Sequence, residues 1–112
     1  MKFNFLSKFL SKKEIIPEVL RALIWKFPDK LEVKISKSED GGFIAEVVNL
    51  PGCITQAETG QELYEMINDA ICTYLDIPEH YIPYVPNFVP PEKERKELNI
   101  KIREGVFVFQ KA

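Results

Sequence analysis

A period-two pattern runs through three stretches of the chain, one of them with Glu46 as its only polar residue, and a period of 3.6 through two others. Leu31, Val33 and Ile35 stand against Glu32, Lys34 and Ser36, the pattern of a half-buried strand over 31–36. Phe43, Ala45 and Val47 alternate with Ile44, Glu46 and Val48, and Glu39-Asp40-Gly41-Gly42 between the two runs predicts an antiparallel hairpin. Pro51 and Gly52 mark a corner, since Pro fixes φ and Gly accepts φ > 0, and a short third strand follows over 54–57. Leu63, Met66, Ile67, Ala70, Ile71, Tyr74 and Leu75 then form one helical stripe, with Thr59 three residues before Glu62 as a capping box. Upstream, Val19, Leu20, Leu23, Ile24 and Phe27 form a second stripe over 16–27, opened by Pro17 and closed by Pro28, with Trp25 pointing the other way.

Residues 78–91 hold five prolines interleaved with Tyr81, Ile82, Tyr84, Val85, Phe88 and Val89, which predicts an extended strap rather than a central strand. After the charged run 92–97, Leu98, Ile100 and Ile102 alternate with Asn99, Lys101 and Arg103. Glu104-Gly105 reads as a turn and 106–109 as a last strand, so the expectation is a C-terminal hairpin with no helix after the main one. The pattern as a whole predicts an α+β fold. An antiparallel sheet of three to four strands carries one main helix on one face in the order β-β-β-α-β, with an added N-terminal helix and the C-terminal hairpin. One globular domain divides into an arm and helix (1–30), a ββ-β-α core (31–77), the strap (78–97) and the hairpin (98–112). The second sheet face needs a cover from the N-terminal helix, the tail or a second copy, and a homodimer is expected.

A length of 112 residues suits one modest core, and 46% apolar with 29% charged residues is ordinary for a globular chain. Charge sharpens the picture. The net charge of −2 conceals a segment, 38–91, with nine acids and no Lys or Arg, between a basic N-terminal third and a mildly basic end. Fifty-odd residues without a cation exclude a nucleic-acid face there, because phosphate binding is dominated by Lys and Arg, and they suit a basic protein partner. The outer face of the main helix carries Glu62, Glu65, Asp69 and Asp76 with no basic residue to pair with, which singles it out as an interaction surface. Cys53 and Cys72, one on a strand and one on the outer helix face, have neither metal nor disulfide spacing. Two free thiols and a cytoplasmic location are expected. No apolar run reaches a signal or membrane-span length; residues 1–13 read as a flexible or partner-docked arm.

Catalytic chemistry is hard to assemble from these residues. His80 has only Glu79 and Asp76 near it in sequence, Cys53 lacks a base, and Gly41-Gly42 lacks the spacing of a phosphate loop. Glu46 on a strand and the helix acids are of the type that holds Mg²⁺ for nuclease chemistry, yet the sheet and the outer helix face keep them apart. The expectation is a non-enzymatic protein without cofactor or metal.

Residues 31–75 resemble the HicB family of antitoxins. The likeness rests on Gly42-Phe43, on Leu50-Pro51-Gly52-Cys53-Ile54-Thr55, and on Thr59 and Glu62 opening the helix. It covers about two-fifths of the chain, and Asn49 and Ala57 depart from it where proline and glycine are common. The resemblance implies a partly degraded RNase H-like fold in which Gly42, Pro51, Gly52, Cys53, Thr55 and Thr59 are structural motif residues. It also implies binding and neutralisation of a small basic HicA-type toxin that cleaves mRNA, here through Glu62, Glu65, Asp69 and Asp76. Family members that repress their own operon add a helical or ribbon DNA-binding domain, and 92–112 supply none, so direct nucleic-acid binding is not expected. The alternatives are a stand-alone HicB-like structural or binding domain and a residual metal-dependent nuclease.

Overall fold

A computed structural model describes residues 14–112, the side chains of Asn99 and Ile100 excepted. The expectation for residues 1–13 lies outside the described residues. The fold is α+β. Its elements are α1 (Pro17–Ile24), β1 (Lys30–Lys37), β2 (Phe43–Val47), β3 (Ile54–Ala57), α2 (Gly60–Tyr74), a 3₁₀ turn (Glu79–Tyr84), β4 (Phe88–Val89), α3 (Glu92–Ile100) and β5 (Gly105–Lys111).

The sheet is antiparallel and has five strands, in the order β3-β2-β1-β5-β4. Leu31, Val33 and Ile35 of β1 are buried beside Ala45 and Val47 of β2 and Phe107 and Phe109 of β5, so the period-two pattern does set the inward face. The β1–β2 connection spans Ser38 to Gly42, with Gly41 at φ 97°. At the far end of β2, Cys53 N–H donates to Leu50 O, with Pro51 and Gly52 (φ 90°) in the two central positions, the residues a type II turn requires. Gly42 serves by size rather than by φ: a Cβ there would lie 3.2 Å from Ala57 O on β3. Asn49, where the HicB-like pattern favours proline, extends the ladder with its side chain. Its Oδ1 accepts from Glu32 N–H (2.9 Å) and its Nδ2 donates to Lys30 O (2.9 Å).

The C-terminal third departs from the expected hairpin. Residues 92–100 form α3, and β5 pairs with β1 on one side and β4 on the other. Two factors outweigh the apparent alternation. Glu92-Lys-Glu-Arg-Lys-Glu-Leu98 is a run of strong helix formers with a Glu92–Lys96 pair at i,i+4 and acids in the first turn. Leu98, only 1% exposed, and Ile102 are both buried, but Leu98 belongs to the helix and Ile102 to the extended link that follows it. The strap is likewise more structured than a plain extended segment. It holds the 3₁₀ turn and the two-residue edge strand β4, where proline-flanked backbone is tolerated.

Helix α2 lies across the inward face, with Tyr64 edge-to-face on Phe109 (6.0 Å between centroids), and α3 packs beside it through Leu98 and the Tyr64 Oη hydrogen bond to Arg95 O. The N-terminal helix is shorter than the predicted 16–27, and Phe27, three residues beyond its end, stacks on Phe88 at 6.2 Å. Lys26 Nζ donates to Leu75 O (3.1 Å), and Ile16 N–H donates to Tyr81 Oη (3.0 Å), so α1 sits at the end of α2 beside the strap. It does not cover the second sheet face. Ile54, Val48, Val106 and Val108 remain exposed there, together with Lys34 and the half-buried Glu46, and no described element lies over them. No helix among the described residues is long and apolar enough to cross a membrane.

Candidate interaction face on the main helix

Both ends of α2 are built by local chemistry. Thr59 has extended backbone at the N-cap and its hydroxyl accepts from Glu62 N–H (3.2 Å). The Glu62 carboxylate reaches back one residue beyond the usual box, to Glu58 N–H (3.1 Å). At the other end Asp76 adopts φ 56°, Asp76 N–H donates to Thr73 O (3.1 Å) and Ile77 N–H donates to Cys72 O (2.9 Å). That pair of bonds is a Schellman cap with Asp76 in the position glycine usually takes.

The four acids of the predicted surface are all exposed. At 100° per residue, Glu62, Glu65 and Asp69 fall within an arc of about 60° and span about 10 Å along the axis. Asp76 lies beyond the helix, on the cap. Their duties differ: the Glu62 carboxylate is engaged at the N-terminal cap and Asp76 holds the C-terminal cap through its backbone, while the carboxylates of Glu65, Asp69 and Asp76 take part in none of the ion pairs or side-chain hydrogen bonds among the described residues. Glu65 and Asp69 are the available charge on the body of the helix.

Asp69 stands on a ridge between two grooves. One, about 280 Å³, lies against the corner after β2, where Gly52, Cys53 and Ile54 face Met66 and Tyr74. The other, about 420 Å³, runs between α2 and the strap, with Glu65 and Asp69 on one wall and Ile82, Pro83, Val85 and Pro86 on the other. The strap therefore covers part of the helix face predicted to be solvated. Cys72, expected on that outer face, is only 5% exposed. Burial first, and the nearby Asp69 carboxylate second, push its thiol up; burial alone pushes up Cys53.

Asn68 holds the strap in place. Its Oδ1 accepts from Phe88 N–H (2.7 Å), and its Nδ2 donates to Phe88 O (2.8 Å) and Tyr64 O (2.9 Å). Phe88 opposes Lys111 in β5 while its neighbour Asn87 accepts from Ala112 N–H, so the Phe88 amide groups point away from β5 and meet Asn68. An amide side chain thus stands in for a sixth strand. Helical phase alone puts Asn68 on the outer face of α2; the available signal is a poor helix former in mid-helix followed by an apolar strap needing an anchor.

The other singled-out residues have structural surroundings. Pro51 and Gly52 form the corner, Cys53 is buried behind it, Thr55 is half-buried on β3 and Thr59 caps α2. Glu46 faces the open side of the sheet, opposite α2, so it does not converge with the helix carboxylates. His80 is half-buried with its ring 4.5 Å from that of Tyr81. Among the described residues, no group of three or more His, Cys, Asp and Glu could share a metal ion.

No family model matches the chain, and no solved structure matches it. Two curated archaeal proteins do. A UPF0150 protein of Archaeoglobus fulgidus is 44% identical over 48 residues, 43% of this chain and 70% of that protein. A UPF0150 protein of Thermoplasma acidophilum is 43% identical over 47 residues, 42% of this chain and 68% of that protein. With more than two thirds of each relative matched at this identity, the chain belongs to the UPF0150 family.

Proposed function

We propose that the protein is a non-enzymatic binding module of the antitoxin type, which captures a small basic HicA-type mRNA interferase on α2 and blocks its RNA-binding surface. The observation that carries this reading is the pair Glu65 and Asp69, exposed, one helical turn apart, and free of ion pairs among the described residues beside an apolar groove. A basic toxin surface would gain two charge contacts at the rim and apolar contact with the strap wall, the usual division between orientation and affinity. Glu62 and Asp76 add field, but the Glu62 carboxylate is tied to the N-terminal cap and Asp76 lies beyond the helix end. The HicB-like motif residues of 42–59 support the same reading.

The test is titration of a purified HicA-type toxin with the wild-type protein and with the double variant Glu65→Lys, Asp69→Lys, at low and high salt. The double variant should lose about a hundredfold in affinity or more, on the order of 3 kcal/mol, while melting as the wild type does. Equal affinity of the two proteins would remove the acidic face from the mechanism.

A further inference from the structure

The groove between α2 and the strap has a candidate occupant in the same chain. Residues 1–13 contain four lysines (Lys2, Lys8, Lys12, Lys13), three phenylalanines, two leucines and no acid. The groove offers the complement, with Ile82, Pro83, Val85 and Pro86 on one wall and Glu65 and Asp69 on the other. The described chain begins at the strap that walls this groove, because Ile16 N–H is bonded to Oη of Tyr81, the strap residue that precedes Ile82. Reach is ample: thirteen residues span up to about 43 Å extended and about 20 Å as a helix, against about 10 Å of α2 between Glu65 and Cys72.

We propose that residues 1–13 dock intramolecularly in the α2–strap groove, with phenylalanine and leucine side chains on the proline-rich wall and lysines on Glu65 and Asp69. This is recognition of an apolar stripe by a groove, with a charged rim setting orientation. A short tether gives an effective concentration of about 1 mM, so an arm with an intrinsic Kd of about 0.1 mM would be docked about nine-tenths of the time. It would then weaken any competing basic partner about tenfold. That consequence rests on the function proposed above; the docking itself does not.

The full chain carrying Ser7→Cys with a nitroxide label tests the docking without any partner. Cys53 and Cys72 are buried, and the wild-type chain treated with the same reagent controls for their labelling. In nitrogen-15 spectra the side-chain amides of Asn68 and Asn87 and the backbone amides of Cys72 and Ile82 should lose most of their intensity. Lys8→Glu with Lys12→Glu, or high salt, should restore them. Broadening centred instead on Val106 and Val108, or none, overturns the proposal. So does broadening that appears on isotope-labelled, unspun chains when label-bearing chains are mixed in, since the arm would then reach a neighbouring copy. Failure here would leave toxin binding by Glu65 and Asp69 intact, and failure of toxin binding would leave this experiment unchanged.

Discussion

Replacing Asn68 by Ala should loosen the strap at a cost that can be worked out from its bonds. The substitution removes three hydrogen bonds and leaves Phe88 N–H and Phe88 O facing a methyl group. A buried, unpaired amide group costs about 1–3 kcal/mol. Phe88 itself is fully buried, but the adjoining groove is open enough to admit water to its backbone. The expected loss is therefore about 2–3 kcal/mol, near the low end for two orphaned groups. Against a total stability of about 5–15 kcal/mol this is large. With m of about 1.5 kcal/mol/M, the urea midpoint should fall by about 1.3–2 M at unchanged slope. Far-ultraviolet circular dichroism is the suitable signal, because the single Trp25 is already exposed in the folded state. Hydrogen exchange localises the effect: the Phe88 amide should lose its protection while the amides of β1 keep theirs. A loss below about 0.5 kcal/mol, or an unchanged Phe88 exchange rate, would refute the role given to Asn68.

Two further outcomes follow from the helix end and the buried thiols. Asp76→Gly relieves the positive φ and removes a carboxylate from the negative end of α2, so it should stabilise the fold by about 0.5–1 kcal/mol, seen as a higher melting temperature; a lower one would mean Asp76 makes a contact that its backbone does not reveal. Burial raises the pKa of both thiols, so unfolded chains ionise first, from about pH 8.5, and stability present below that pH falls as pH rises through the folded values; a Cys53→Ala, Cys72→Ala double variant should show a flatter urea midpoint over that alkaline range, and superimposable profiles would refute it.

Wherever one local interaction dominates, the sequence by itself determined the outcome. The alternation around Leu31, Val33 and Ile35 set which side of β1 is buried, because period two admits only one inward face. Pro51-Gly52 set the corner and Thr59 the start of α2, since φ restrictions and a hydroxyl cap act within four residues. The acids of α2 were legible for the same reason: helical phase puts Glu62, Glu65 and Asp69 together without reference to the rest of the chain.

Tertiary structure decided the rest. Leu98 could have belonged to a strand or a helix, and the choice went to the helix because residues 92–98 favour it locally while the open edge of β1 was taken by β5. Cys72 and Asn68 lie on a helix face that local phase leaves in solvent, and only the return of the strap buries the one and employs the other. Asn49 and Asn68 use primary amides in place of a strand, a role that depends on where two backbone groups point across a gap of 17–20 residues. The groove beside Glu65 and Asp69 has the same origin. Its acidic wall could be read from spacing, but its apolar wall exists only because Phe88 and Val89 pair with β5 and draw the prolines across α2.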